Sequence, residues 1–219
     1  MDVQTIFEGV FKVGGKLATR SAYHGKKVYG ESLVDIGDEQ YRLWNPYRSK
    51  LAAAILNGLK EMHIKESSSV LYLGASTGTT SSHVSDIVGR SGAVYCVEIS
   101  ERSMRDLLKI CEVRGNMLPI LQDARKSDAY AEDVGNVDII YQDVAARDQD
   151  QILISNSKFL KKGGYAYVAI KSQSIDVSRD PSEVFKEFLD SVSSSFKVLE
   201  KIDIAPYDKM HLFVVLKKL

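Results

Sequence analysis

The sequence predicts an α/β protein with a Rossmann-like, mostly parallel sheet that is covered by helices and preceded by a small β-rich unit. After residue 47, short apolar runs alternate with helical patterns, which is typical of a parallel sheet. The last two apolar runs have no helix between them, which predicts a closing antiparallel hairpin. Residues 1–47 instead carry short β-like runs separated by glycines, which indicates a separate antiparallel sheet. We therefore predict two domains, 1–47 and 48–219.

The elements of the first unit follow from its short β-like runs. Trp44-Asn45-Pro46-Tyr47 marks the change of pattern, and Ser49 can cap a helix that is rich in strong helix formers and runs to Leu59. The β-like runs before it are 5–7, 9–13, 27–30, 32–34 and 40–44.

The second unit shows helical and strand periods in turn. In the segment 101–114, Met104, Leu107, Leu108 and Cys111 follow the i, i+3, i+4, i+7 spacing of an amphipathic helix. The other predicted helices are 79–88, 148–160 and one that Pro181 opens. The predicted strands are 70–73, 93–97, 118–121, 137–141, 165–170, 197–204 and 210–216.

Composition narrows the functional classes. The chain has 219 residues with 29 Lys+Arg and 29 Asp+Glu, so its formal net charge is zero. This balance argues against non-specific nucleic-acid binding by whole-molecule charge, while a local basic patch or recruitment by a partner stays open. No apolar run reaches the roughly 18 residues of a membrane helix, and the N-terminus lacks the apolar core of a signal peptide. We expect a cytoplasmic protein.

The cysteines and histidines do not suggest a metal site. Cys96 and Cys111 lie inside apolar patterns, which favours two buried thiols over a disulfide. Neither the cysteines nor the four scattered histidines have the spacing of zinc ligands, so no metal is predicted.

The first strand–helix junction has the features of a ligand-binding turn. Gly74 follows a buried strand, where glycine allows close approach of a ligand to the backbone, and Thr79 or Thr80 can supply hydroxyl groups at the helix start. A tight turn capped by threonine is the alternative. The spacing from Gly74 to Gly78 differs from G-x-G-x-x-G, which disfavours NAD.

Acidic residues after the next two strands suggest the ligand. Glu98 closes the second strand, where a carboxylate can accept from both ribose hydroxyls of an adenosine. Asp123 follows the third strand and could accept from an adenine amino group, although a loop or cap role is equally consistent. Together with the glycine turn, which offers no basic clamp, these residues favour S-adenosylmethionine (SAM) over a phosphate ligand.

A carboxylate and an amine end two further strands. Asp143 closes the run that begins at Val137, and Lys171 closes the run that begins at Tyr165. Ligands of open α/β sheets bind beyond the carboxyl ends of strands, so this pair is a candidate for the chemistry. A lysine can serve as a base only when neutral, and a second lysine beside the same aspartate would favour that state. Lys50 is a candidate for the second lysine.

At this point the segments resemble the fibrillarin family over nearly the whole chain. In the numbering of this sequence, the matching segments are YRLWNPYRSKLAA (41–53), VLYLGA (70–75), TGTT (77–80), YQDVA (141–145), KGGY (162–165), IK (170–171), SIDV (174–177) and PYDKMH (206–211). Since the chain has no Gly/Arg-rich N-terminal extension, it looks like the archaeal form.

The resemblance implies a class I SAM-dependent methyltransferase fold and a ribose 2′-O-methyltransferase in a box C/D guide ribonucleoprotein, acting on ribosomal and transfer RNA. The implied partners are a Nop-domain scaffold protein, a kink-turn-binding ribosomal-protein-like protein and the guide RNA. The implied catalytic residues are Lys50, Asp143, Lys171 and His211. The implied SAM-binding residues are Gly74, Ala75, Thr79, Thr80, Glu98, Ile99, Asp123, Ala124, Asp143, Val144, Ala145 and Ala146.

Three positions depart from the family pattern. Ser76 stands where alanine is common, Ile99 where an aromatic residue often packs on the adenine, and Ala146 where glutamine is common. The change at residue 99 is expected to weaken adenine stacking. Two other functions stay open, namely a small-molecule O-methyltransferase, which would typically need a metal-binding carboxylate cluster, and a non-catalytic assembly scaffold.

Overall fold

Residues 2–219 of the computed structural model form two β-sheets. The first sheet is antiparallel, with strand order β1-β2-β3-β5-β4. Its strands are β1 (Val3–Phe7), β2 (Val10–Val13), β3 (Lys16–Arg20), β4 (Leu33–Ile36) and β5 (Glu39–Leu43).

The structure corrects two sequence predictions in this sheet. Strand β3 was not predicted, because its segment holds only Leu17 and Ala18 as apolar residues, although both are buried. The strand predicted at 27–30 is wrong. The backbone N–H groups of Val28 and Tyr29 donate to the Glu31 carboxylate at 2.8–3.1 Å, which closes this segment into a loop.

A short connection carries the chain to the second sheet. The 3₁₀ helix Pro46–Arg48 follows β5, and helix α1 (Lys50–Leu56) begins directly after Ser49. The predicted cap is confirmed, since the Ser49 side chain accepts from the backbone N–H of Ala52. The helix ends three residues earlier than predicted, at a turn in which Gly58 has a φ of +100°.

The second sheet has seven strands in the order β11-β12-β10-β9-β6-β7-β8. The strands β6 to β10 run parallel, and β12 is antiparallel to both β10 and β11, which confirms the predicted hairpin. The bounds are β6 (Ser69–Leu73), β7 (Ala93–Glu98), β8 (Met117–Leu121), β9 (Val137–Gln142), β10 (Leu160–Lys171), β11 (Phe196–Asp203) and β12 (His211–Lys218).

The remaining helices are α2 (Thr79–Val88), α3 (Glu101–Val113), α4 (Gln149–Asn156), α5 (Ser172–Ile175) and α6 (Pro181–Val192). Helix α4 is shorter than predicted, because the hydroxyls of Ser155 and Ser157 donate to carbonyls three residues earlier and a 3₁₀ turn replaces its end. Helix α5 was not predicted. Within the described part of the chain, no helix is both long and apolar enough to cross a membrane.

The two sheets share buried apolar contacts. Val10, Leu17 and Trp44 of the first segment belong to the same core cluster as helices α1 and α2 and one face of the large sheet. A second cluster covers the opposite face. The predicted domain boundary after residue 47 stays a prediction, and the shared core fixes residues 44–50 against the large sheet.

Candidate active site

Three of the four predicted catalytic side chains meet at the carboxyl end of the large sheet. Lys50 Nζ lies 3.1 Å from Asp143 Oδ1 and 3.2 Å from Oδ2. Lys171 Nζ lies 2.7 Å from Oδ1 of the same carboxylate, and it donates a hydrogen bond to the Asp143 carbonyl at 3.0 Å. The three side chains are between 15% and 19% exposed. One carboxylate is thus shared between two half-buried ammonium groups.

The fourth predicted residue, His211, joins this group through a residue that sequence reasoning missed. His211 Nδ1 lies 2.8 Å from Asp208 Oδ1 and 2.8 Å from the carbonyl of Lys209. The other oxygen of Asp208 lies 3.6 Å from Lys50 Nζ. Strand pairing places His211 directly opposite Lys171, so both side chains are on one side of the sheet. The sequence did offer a signal for Asp208, because it lies three residues before His211, in the turn that leads into the same strand.

Gly74 positions the Asp143 backbone. It has a φ of +83°, and a Cβ at this position would lie 2.7 Å from the carbonyl oxygen of Asp143. The Asp143 N–H donates to the Leu73 carbonyl at 2.9 Å, so the ends of β6 and β9 are held together. The close approach expected at Gly74 is therefore an approach of Asp143, although Gly74 also borders the cavity beside it.

A cavity of about 290 Å³ opens next to this cluster. Nine of the twelve predicted SAM-binding residues line it: Gly74, Glu98, Ile99, Asp123, Ala124, Asp143, Val144, Ala145 and Ala146. Ala75, Thr79 and Thr80 do not, and the Thr80 hydroxyl donates to Ser49 at 3.0 Å. The lining residues not predicted as SAM contacts are Ser76, Val97, Gln122, Arg125, Ile152 and Lys171.

The polar groups of this cavity fit a cationic nucleoside ligand. Glu98 is held in place because it accepts from the backbone N–H groups of Ser76 and Ser100, at 2.7 and 2.8 Å, and its oxygens retain further lone pairs for a ribose diol. Asp143 Oδ1 is buried and receives no aligned hydrogen bond. Three carboxylates, those of Glu98, Asp123 and Asp143, line the cavity, which suits the amino group and sulfonium of SAM.

The basic groups in the lining are already paired. Lys171 contacts Asp143, and the Arg125 guanidinium contacts Asp148 at 2.9 Å. The cavity therefore offers no free phosphate clamp. Nowhere in residues 2–219 do three or more His, Cys, Asp or Glu side chains gather as metal ligands.

Two buried glutamines support the site and were missed by the sequence analysis. The Gln149 side chain accepts from the Lys171 N–H at 3.2 Å and donates to the carbonyls of Ala146 and Lys171, at 2.9 and 3.3 Å. Gln142 donates to the Gln149 carbonyl at 2.7 Å. Gln149 therefore fixes the cavity loop and the backbone of Lys171 relative to each other. A polar residue at a helix start carries no sequence signal for this role.

The phenols beneath Asp143 supply no charge to the site. Tyr72 and Tyr141 are stacked with ring centroids 4.4 Å apart. Burial raises the pKa of both phenols well above the usual 10, and the nearby Asp143 carboxylate contributes in the same direction. Both therefore stay neutral, and the charges at the site come from its lysines and aspartates.

Comparisons with known proteins show which chains are similar to this one. The family model Fibrillarin matches residues 1–218. A fibrillarin-like rRNA/tRNA 2′-O-methyltransferase from Methanocaldococcus jannaschii is 51% identical, over 97% of this chain and 95% of the relative. The structure of Aeropyrum pernix fibrillarin with natively bound SAM has a TM-score of 0.91 and 41% identity, over 99% and 98% of the two chains. A structure of a fibrillarin/Nop5p complex has a TM-score of 0.88 and 38% identity, over 97% and 98%.

Proposed function

The chain belongs to the fibrillarin family, and on this basis we propose that it transfers the methyl group of SAM to the ribose 2′-hydroxyl of guide-paired RNA. It acts as the catalytic subunit of a box C/D ribonucleoprotein on precursor ribosomal RNA and transfer RNA. A relative of 51% identity is named as a 2′-O-methyltransferase of these two RNAs, and the A. pernix neighbour binds SAM.

The partners follow from the same family membership. A Nop-domain scaffold protein is proposed because a neighbour of 38% identity is seen in complex with Nop5p. The kink-turn-binding protein and the guide RNA complete the proposed assembly. The zero net charge fits an enzyme whose RNA affinity comes from its partners. A cytoplasmic location is part of this proposal.

The observation that carries the proposal is the Lys50–Asp143–Lys171 cluster at the edge of a cavity with acidic lining. Asp143 and Lys171 border the cavity, whereas Lys50 does not. The cluster therefore connects a donor site with a separate side from which a hydroxyl group can approach. This arrangement suits an in-line transfer between two substrates.

The charges within the cluster suggest a role for each group. SAM, when bound, supplies a methyl group on a positively charged sulfur. The ribose oxygen forms the new C–O bond while the C–S bond breaks, and the hydroxyl proton must leave. The ammonium groups of Lys50 and Lys171 both contact Asp143, and that of Lys50 also lies 3.6 Å from Asp208. Lys171 then steers the hydroxyl by donating a hydrogen bond, and Asp143 orients both lysines.

We assign the acceptance of the hydroxyl proton to His211. Asp208 and the Lys209 carbonyl both lie at Nδ1, which favours the tautomer that has its proton on this atom and leaves Nε2 as an acceptor. Asp208 is thus a positioning residue for His211 and a charge partner for Lys50. We expect His211→Ala to lower kcat by about 10²-fold, and Asp208→Asn to lower kcat while SAM binding is unchanged.

The test is methylation by the reconstituted complex. The chain would be combined with a scaffold protein, a kink-turn-binding protein, a box C/D guide, a complementary RNA and radiolabelled SAM. Wild type would be compared with Asp143→Ala and with Asp138→Ala, since Asp138 is a partly exposed aspartate at the opposite end of β9. We expect label on the guide-selected ribose only, lost in Asp143→Ala and kept in Asp138→Ala.

The other outcomes point to other functions. Tight SAM binding without transfer to RNA would favour a small-molecule O-methyltransferase. The absence of SAM binding would favour the assembly scaffold.

A further inference from the structure

Two tyrosines lie beside the catalytic cluster but outside the cofactor cavity. Tyr47 is in the 3₁₀ helix before Lys50, and Tyr207 is in the turn before Asp208. Their ring centroids are 5.1 Å apart with an interplanar angle of 72°, which is an edge-to-face contact. Since Asp208 also contacts Lys50, the tyrosine pair adjoins the end of the cluster that does not border the cavity.

The pair presents apolar surface and free hydroxyl groups to solvent. Tyr47 is 69% exposed, and Tyr207 is half-buried against the core. Within residues 2–219, neither phenol hydroxyl has a hydrogen-bond partner, whereas that of Tyr29 nearby contacts both His83 and a backbone carbonyl. Isolated exposed aromatic residues are common, but two in contact beside a catalytic cluster form a surface suited to a ligand.

A basic groove lies near the tyrosine pair, although neither tyrosine lines it. Arg48, which follows Tyr47, borders a groove of about 380 Å³. Lys26, Lys27 and Lys109 also line the groove, and the one carboxylate in its lining, that of Asp106, is paired with Lys109 at 2.8 Å. The groove therefore has a local positive excess on a chain whose net charge is zero. Such a groove suits the phosphates of a nucleic-acid strand.

We propose that Tyr47 and Tyr207 bind the ribose of the nucleotide next to the acceptor ribose, while the groove beside Arg48 receives phosphates of the same RNA strand. This inference rests on the proposed function, in which the substrate is paired with a guide. In paired RNA the bases are stacked inside the helix, and the wide, shallow minor groove presents the 2′-hydroxyls. A tyrosine ring can pack on the sugar, and its hydroxyl group can hydrogen-bond to the neighbouring 2′-hydroxyl.

The proposal predicts separate effects for the rings and for the hydroxyl groups. Tyr47→Ala and Tyr207→Ala remove both, and each should lower kcat/KM for RNA by about tenfold, mainly through KM. Tyr47→Phe or Tyr207→Phe removes only a hydroxyl group, and the variant whose hydroxyl contacts RNA should lose about threefold, as expected for one hydrogen bond. Affinity for SAM should not change in any of these variants, because neither side chain borders the cavity. Tm should not change in Tyr47→Ala, because Tyr47 is largely exposed, whereas Tyr207→Ala should lower Tm because Tyr207 packs against the core, and its activity is therefore measured at a temperature where it is folded.

The decisive experiment removes the same contact from the RNA. Methylation by the reconstituted complex would be measured with all-ribose substrate and with substrates carrying a single 2′-deoxy nucleotide on either side of the acceptor. The matched control is Tyr95→Phe, since the hydroxyl of Tyr95 likewise has no partner in the described chain and lies on strand β7, away from the cluster. On the all-ribose substrate, the Tyr→Phe variant should have a lower kcat/KM than wild type. On one of the two deoxy substrates, wild type and the Tyr→Phe variant should have the same kcat/KM.

The outcomes separate this inference from the function on which it rests. If wild type methylates but both alanine variants stay within twofold of it, the tyrosine site is refuted and the function stands. If the phenylalanine losses are the same on all substrates, the 2′-hydroxyl contact is refuted. If wild type does not methylate the guide-selected ribose, both the proposed function and this inference are overturned.

Discussion

Replacement of Gly74 by alanine should displace the carboxylate of Asp143, to which we assign a role in catalysis. The new Cβ would lie 2.7 Å from the Asp143 carbonyl oxygen, whereas ordinary contact begins at 3.4 Å, so the Asp143 backbone must retreat by about 0.7 Å. Lys171 donates a hydrogen bond to this same carbonyl, so the displacement also reaches a second proposed catalytic group. Misplacement of reacting groups by about 1 Å can cost 10²-fold, and we expect methyl transfer to fall by about 10- to 100-fold.

The same substitution should also lower stability. A left-handed backbone costs a residue with a Cβ about 1–2 kcal/mol, and overpacking costs about 1–3 kcal/mol more. The free energy of unfolding should therefore fall by about 2–5 kcal/mol. Gly15→Ala is the matched control, because Gly15 has a φ of +79° and an added Cβ there meets nothing within 4 Å. This control should lose only the 1–2 kcal/mol of backbone strain and keep its activity.

The assay pairs urea unfolding of both variants with single-turnover methyl transfer by the reconstituted complex at a temperature where each is folded. If the methyl-transfer rate of Gly74→Ala were within twofold of that of Gly15→Ala, the contact between Gly74 and Asp143 would not have the role assigned to it. Equal losses of stability in the two variants would likewise show that the backbone of Asp143 moves away at no cost.

Three further predictions concern the supports of the site and the buried histidine. Gln149→Leu keeps the volume but removes the bonds to Ala146 and Lys171, so kcat should fall at least tenfold in the same assay, with a smaller effect in Gln149→Glu. Ile99→Phe should tighten SAM binding by about two- to tenfold in calorimetry, because Ile99 is 63% exposed at the cavity edge and an aromatic ring can cover an adenine. Burial, aided by two nearby arginines, lowers the pKa of His83 well below its ordinary 6.5. As the pH falls below 6.5, the His83 ring takes up a proton in the unfolded chain but not in the folded one. The free energy of unfolding is therefore at its full value above pH 6.5 and falls below it, by up to about 1.4 kcal/mol per pH unit. Unfolding titrations should show a shallower slope for His83→Gln, and His63, whose pKa burial also lowers, contributes to the slope that remains.

The sequence predicted the large sheet better than the small one, for a physical reason. Parallel strands such as β6 and β9 are buried on both faces, so their sequences are continuous apolar runs that stand out. The small sheet has short strands with mixed faces, and β3 exposes both of its terminal residues. The predicted strand 27–30 is a loop, because Glu31 accepts hydrogen bonds from the backbone N–H groups of Val28 and Tyr29.

The site was predictable to a different degree for each residue. Asp143 and Lys171 follow from the rule that ligands meet strand ends, and the structure brings these two together. Lys50 and His211 carried a weaker signal, because a lysine on a helix and a histidine at a strand end are usually surface or packing residues. Lys50 was only a candidate for the second lysine until the family resemblance selected it, and His211 was selected by the resemblance alone. Asp208 and Gln149 were missed, since their roles depend on partners distant in the sequence.

The position of Lys50 explains why the small sheet is anchored so firmly. Arg42, on strand β5, is fully buried, and its guanidinium contacts Glu31 and Asp86, both at 2.6 Å. Asp86 belongs to α2 and also binds Arg114, so the network joins the small sheet to the layer that covers the large one. Because the chain runs from Arg42 to Lys50 in eight residues, movement of this sheet would move the lysine away from Asp143. Buried ion pairs often add little net stability, but removing one partner costs about 3–5 kcal/mol, so they penalise a displaced arrangement strongly. On the proposed mechanism, the small sheet thus serves the reaction indirectly, by holding Lys50, which the large sheet does not contain.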